Sequence, residues 1–196
     1  MPMLQRFLSQ DKIGFTGRGL NLYEYASNNP VKFSDPWGLW DTAAHHYFIE
    51  QRFSGTVPLE LLTQIQAGSN YVDRNLFGQS GISSPQHAMT SPAYPTPDKA
   101  RQEMCKFIKD NMDAFRRYLN NNSPAQAYNH LGRALHPVMD YTSPLHRDFQ
   151  YWRLHDASKH WNDEGIDQIT PALEAETLGL MNAVVSGDYS ALGCGK

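Results

Sequence analysis

A chain of 196 residues, 40% of them hydrophobic and 12% aromatic, is long enough for one sizeable core and an appendage but too short for two full domains. No run approaches the roughly 18 apolar residues needed to cross a bilayer, and the opening MPMLQRFLSQ lacks the apolar core of a signal peptide. A net charge of −3 and a pI near 6.2 argue against a duplex-DNA binder, which carries a basic face.

Residues 1–39 differ in kind from the rest. Short alternating runs (LNLYEY, VKF) are broken by Gly, Asn-Asn-Pro and Asp-Pro turns, which predicts β-hairpin structure. Such a segment cannot bury a core alone and reads as the last piece of a larger sheet. From Trp40 the pattern turns helical. Residues 40–53 and 59–66 are short candidates. Residues 68–97, rich in Gly, Ser and Pro, read as a long loop. The clearest helix follows Pro97, with Met104, Phe107, Ile108, Met112, Phe115 and Leu119 at helical spacing and Asn120–Asn122 closing it. SPAQAYNHLGRALHPVMDY is another, with Ser123 as cap and Pro124 in its first position, and TPALEAETLGLMNAVV a third. The body is therefore expected to be all-α. Cys105 and Cys194 are the only cysteines, with no CxxC spacing, and are expected as two free thiols, with one disulfide between them as the alternative.

The elements RFLSQDKIGF, GLNLYEYASNNPV and DPWGL, in that order, resemble the end of the core of Rhs-repeat proteins, the shell-forming carriers of bacterial polymorphic toxins. In that family a pair of aspartates cuts the chain after the leucine of the terminal DPxGL motif. The matching residues are Asp35 and, in the upstream copy, Asp11, where Lys12 replaces the usual proline. The resemblance implies a cut after Leu39 that releases residues 40–196 as a toxin. It also implies an Rhs shell and a cognate immunity protein as partners, and a bacterial effector delivered or secreted to act in or on a target cell.

A second pattern lies beyond that bond. His136 and Asp140 are four apart and share a helix face, and His146 follows six later. His160 and Glu164 are again four apart, Asp73 and His87 are fourteen apart, and His45 lies five after Trp40. The set Trp–His–Asp–His–HxxxDx₅H–HxxxE resembles the trinuclear zinc site of the zinc-dependent phospholipase C and P1/S1 nuclease superfamily, an all-α fold. There the mature N-terminal tryptophan binds metal through its α-amino nitrogen. A peptide nitrogen is resonance-delocalised and a poor ligand, whereas a free α-amine, with a pKa of about 8, is readily deprotonated onto a metal. Both resemblances thus converge on the Leu39–Trp40 bond.

Carried over, the resemblance implies up to three zinc ions. One takes Asp73, His87, His136 and Asp140; a second takes His146, His160 and Glu164; a third takes Trp40 and His45, with Asp140 bridging. His46 competes with His45, whose five-residue offset matches the nuclease branch. The implied reaction is phosphodiester hydrolysis, water attacking phosphorus in line, with Asp73 and Asp140 as catalytic residues and Asp73 the candidate general base. The fourteen-residue gap between His146 and His160, and Glu at 164, look more like the phospholipase C branch. Phe77, Ile82, Met89 and Tyr94 offer contacts to a membrane or acyl chain. The expected substrate is a phospholipid at a membrane surface. A nuclease that stacks bases on the same loop is the alternative, and a metal-stabilised binding domain without turnover a second one. His130, His155, Asp148, Asp156 and Asp163 match no position of the pattern.

Overall fold

The computed structural model describes residues 42–74, 81–151 and 165–195, all within one compact unit, Trp37–Lys196. The expected hairpins of residues 1–39 lie outside the described residues. Those described are all-α. Five α-helices run in order: α1 (Thr42–Phe53), α2 (Leu59–Arg74), α3 (Pro97–Asn120), α4 (Pro124–Thr142) and α5 (Pro171–Ser186), with short 3₁₀ turns at Ser84–His87, Ile166–Gln168 and Ser190–Leu192. Among the described residues strand pairing is limited to one parallel bridge between Thr90 and Tyr151.

The helix ends follow local chemistry. Thr96 and Thr170 accept hydrogen bonds from the backbone N–H groups of Lys99 and Leu173, and Pro97 and Pro171 fill the first helical positions. Gly187, in the left-handed region at φ 88°, ends α5. Ser123, expected as a cap, makes no capping bond; its hydroxyl donates to Asn121 O instead. The buried stripe of α3 includes Met104, Ile108 and Met112 as expected, but also Cys105, Asn111 and Ala114, while Leu119 is exposed.

α4 is the central helix, packed against α2, α3 and α5 and buried from Ala134 through Asp140. Its closest neighbour is α2, and two glycines make that closeness possible. A Cβ on Gly132 would overlap the carbonyl oxygen of Ile65, and one on Gly68 that of Asn129. This overturns the expectation of a loop from residue 68. Gly68 does not break α2, because the lost helix propensity, about 1 kcal/mol, is offset by backbone contact with α4. The helix continues to Arg74 and carries Asp73 with it.

The two cysteines are joined. Cys105 on α3 and Cys194 in the C-terminal tail form a disulfide, with Cα atoms 5.5 Å apart. Sequence spacing gives no hint of this because 89 residues separate them and α5 brings the tail back over α3. Closing a loop of that length restricts the unfolded chain by about 4–5 kcal/mol on the chain-entropy model. Reduction, or Cys194→Ser, is expected to lower stability by about 2–5 kcal/mol in a denaturant titration, with the oxidised wild type as reference.

Candidate metal centre

Five elements bring one polar cluster into the core. His45 comes from α1, Asp73 from the last turn of α2, His87 from the end of the Ser84–His87 turn, and His136 with Asp140 from α4. His146 sits in the turn that follows α4. His45, His136, Asp140 and His146 have no exposed surface and His87 has 2%, whereas the Asp73 side chain is 13% exposed. Asp73 is thus the side of the cluster nearest solvent.

Asp140 is the hub. Its Oδ1 accepts from His45 Nε2 at 2.9 Å, and its Oδ2 lies 3.0 Å from His87 Nδ1 and 3.1 Å from His136 Nε2. His136 Nε2 is also 3.0 Å from His87 Nδ1 and 3.4 Å from Asp73 Oδ1. Around His136 Nε2, donor atoms of His87, Asp140 and Asp73 thus lie at 3.0, 3.1 and 3.4 Å. A tetrahedral ion with bonds of about 2.0–2.1 Å sets its donors about 3.3 Å apart, close to these separations.

His136 Nδ1 faces Ser69 Oγ at 3.1 Å, a contact that fixes the ring in either tautomer: as donor the hydroxyl leaves a proton on Nε2 for Asp140, as acceptor it leaves Nε2 free as a ligand. One feature distinguishes the cluster from an ordinary buried hydrogen-bond network. Among the described residues, His45 Nδ1 and Asp73 Oδ1 are buried without a hydrogen-bond partner, a costly state that a bound ion relieves. The groups His45, His136, Asp140 and Asp73, His87, His136 each set their donor atoms within 4.8 Å of one another, as holding a metal ion requires. The residues fit a metal.

Charge in the cluster is organised the same way. Burial alone would lower the His45 pKa, but the Asp140 and Asp73 carboxylates push it up to about 10. His136 goes the other way, held below the usual histidine range by burial and by the charge on His45. Burial opposes ionisation of both carboxylates, yet the surrounding imidazoles hold Asp73 below, and Asp140 well below, the usual range. At pH 7 the metal-free cluster thus has His45 protonated and both aspartates ionised. A metal that takes His45 must displace that proton, since ligands bind deprotonated. Zinc affinity is expected to rise about tenfold per pH unit between pH 7 and 9, with close to one proton released, read by calorimetry in buffers of different ionisation enthalpy. Affinity flat over that range would place His45 outside the coordination.

His45, not His46, enters the cluster; His46 Nε2 lies 3.1 Å from Asn70 Oδ1. His146 approaches through the backbone: its Nδ1 donates to the His87 carbonyl at 2.5 Å, which orients Nε2 as its lone-pair nitrogen. Trp40, His160 and Glu164, and the processing residues Asp11, Asp35 and Leu39, lie outside the described residues, as do His155, Asp156 and Asp163. Asp148 is exposed, and His130 bonds Asn111 Oδ1 at 2.9 Å. Sequence reasoning missed Ser69, fully buried and placed to orient His136; its only signal is a position one helical turn before Asp73.

The loop expected to reach a membrane is placed differently from that expectation. Met89 is 3% exposed and Tyr94 packs against the core, because Thr90 N bonds Gln150 O at 3.0 Å and Thr90 Oγ1 bonds Phe149 O at 3.1 Å, fastening the loop inward. Ile82 remains exposed, and Phe77 lies outside the described residues. No known family, curated protein or solved structure matches this chain.

Proposed function

We propose that residues 40–196 are a zinc-dependent phosphodiester hydrolase, a phospholipase C-like toxin freed by cleavage between Leu39 and Trp40. The observation that carries this is the pair of donor groups His45, His136, Asp140 and Asp73, His87, His136, which meet at His136. All five residues are among those the resemblance implies for the first ion and the bridge, and that supports the reading. A purely structural metal is closed by four protein ligands, whereas each of these groups supplies three, which would leave a position for water or substrate.

Zinc, when bound, supplies Lewis acidity toward a phosphoryl oxygen and the attacking water. The protein's own groups do the rest. Asp140 holds both donor sets in register through its two oxygens. Asp73, nearest solvent and ionised, is placed to accept the proton of the attacking water. Ser69 fixes the His136 ring, and burial of His45 and His136 keeps bulk water out behind them. His146, His160 and Glu164 would hold the remaining ion.

Phospholipid is the first substrate in this reading, from the spacing around His146, His160 and Glu164. Nucleic acid is the second, and the burial of Met89 favours it by removing one of the proposed lipid contacts. The test loads the full chain with zinc and supplies phosphatidylcholine/phosphatidylethanolamine vesicles together with single-stranded DNA. Phosphorus NMR follows the products, and Asp140→Asn serves as control. Phosphocholine or phosphoethanolamine absent from the control is the expected result; nucleotides would assign the nuclease reading, and silence on both substrates would refute hydrolysis. Intact mass of the same sample should show a fragment beginning at Trp40.

A further inference from the structure

Away from the metal cluster, α2, α3 and α4 frame a second site. Arg133 on α4 is fixed at two points: its guanidinium carbon lies 3.9 Å from the centre of the Tyr71 ring, and its Nε donates to Asn129 Oδ1 at 3.0 Å. Among the described residues neither Arg133 nor Arg117 pairs with a carboxylate, whereas Arg101, Arg116 and Arg147 each do. Beside Arg133 opens a cleft of about 420 Å³, lined by Gln64, Tyr118, Gln126, Asn129 and His130, and none of the described lining residues is acidic.

The wall of the cleft is an aromatic pair. Tyr118 and His130 stack with centroids 5.3 Å apart and planes 14° from parallel, and the bond from His130 to Asn111 fixes the imidazole. Arg117 sits over the Tyr118 ring at 5.5 Å. Burial, then the charges of Arg133 and Arg117, hold His130 below the usual histidine range. The chain as a whole is acidic, at −3, so this concentration of unpaired guanidinium is local.

We propose that this cleft binds a nucleotide unit of single-stranded nucleic acid, its phosphate on Arg133 and its base against the Tyr118–His130 pair. A planar fork of donors held open suits a phosphate. A flat aromatic surface suits a base, and the amides of Gln64, Gln126 and Asn129 suit its edge. An acidic peptide would use the arginine but not the aromatic surface. The cleft shares no residue with the metal cluster, so the proposal stands independently of what the metal centre cleaves.

The test uses the full chain in EDTA, so that metal-dependent binding and turnover are silent. Fluorescence anisotropy of a labelled eight-nucleotide strand reads affinity against salt concentration, with AMP and poly-glutamate as competitors. Arg133→Gln is expected to weaken binding at least tenfold and to reduce the salt slope by about 0.7. Tyr118→Leu should weaken it about fivefold or more, and Arg133→Lys, which keeps the charge but not the fork, should fall in between. Thermal midpoints of the variants separate these effects from misfolding. AMP competing as well as unlabelled strand would keep the site and identify a free nucleotide as its ligand. No binding at about 0.1 mM protein, an Arg133→Gln isotherm equal to wild type, or displacement by poly-glutamate as effective as by the strand would each overturn the proposal.

Discussion

Asp140→Asn is expected to remove most of the bound zinc and to lower phosphodiester hydrolysis by more than about a hundredfold, beyond the 10–100-fold typical of groups that merely orient ligands. The reason is the position of this carboxylate. It touches His45 with one oxygen and His87 and His136 with the other, at 2.9, 3.0 and 3.1 Å. Asn keeps the shape but offers one oxygen and no charge, so one of the two donor sets loses its anchor. The charge on His45 loses its principal counter-ion as well, and the His45 pKa must fall toward the ordinary range. Asp140→Ala goes further, leaving buried groups without a partner at a cost to the metal-free fold of about 3–5 kcal/mol. Metal content by mass spectrometry and a zinc titration by calorimetry read the first effect; denaturant unfolding in EDTA reads the second. Zinc content equal to wild type in Asp140→Asn would remove Asp140 from the coordination and the proposed bridge with it.

Gly132→Ala is the second large effect, and its sign runs against propensity. In an open helical position Gly→Ala stabilises by up to about 1 kcal/mol. Gly179 on α5 is such a position, since an added Cβ meets nothing within 4 Å. At Gly132 the same methyl would overlap the Ile65 carbonyl, backbone that cannot rotate away. α2 must move outward, at a cost of about 1–3 kcal/mol or more. That shift also draws Ser69 and Asp73 away from His136, so zinc affinity should fall at least about tenfold without any ligand having been changed. Thermal unfolding of Gly132→Ala beside Gly179→Ala gives the comparison: opposite signs are expected. Equal effects would mean that α2 and α4 are not held by backbone contact at this point.

Much of the architecture was legible because it is local. Proline at the first helical position with threonine before it set the starts of α3 and α5, Gly187 closes α5, and 3.6-residue periodicity marked α3. The pairing of His136 with Asp140 on one face of α4 followed from a four-residue spacing alone. Other features were illegible for an equally physical reason. The end of α2 was misread because Gly68 carries the same letter whether it breaks a helix or admits a neighbour. Only the presence of α4 beside it decides which.

The sequence by itself determined the helical class, the starts of α3 and α5 and the donor types of the site: imidazole and carboxylate, at spacings a helix can present on one face. The tertiary structure decided the rest. It chose His45 over His46, because α1 turns one imidazole inward to Asp140 and the other toward Asn70. It recruited Ser69, buried Met89, joined Cys105 to Cys194 across 89 residues and assembled the Arg133 cleft from three helices. Each of these depends on which face of one helix meets which face of another. That is settled by close packing of the whole core rather than by any window of neighbouring residues.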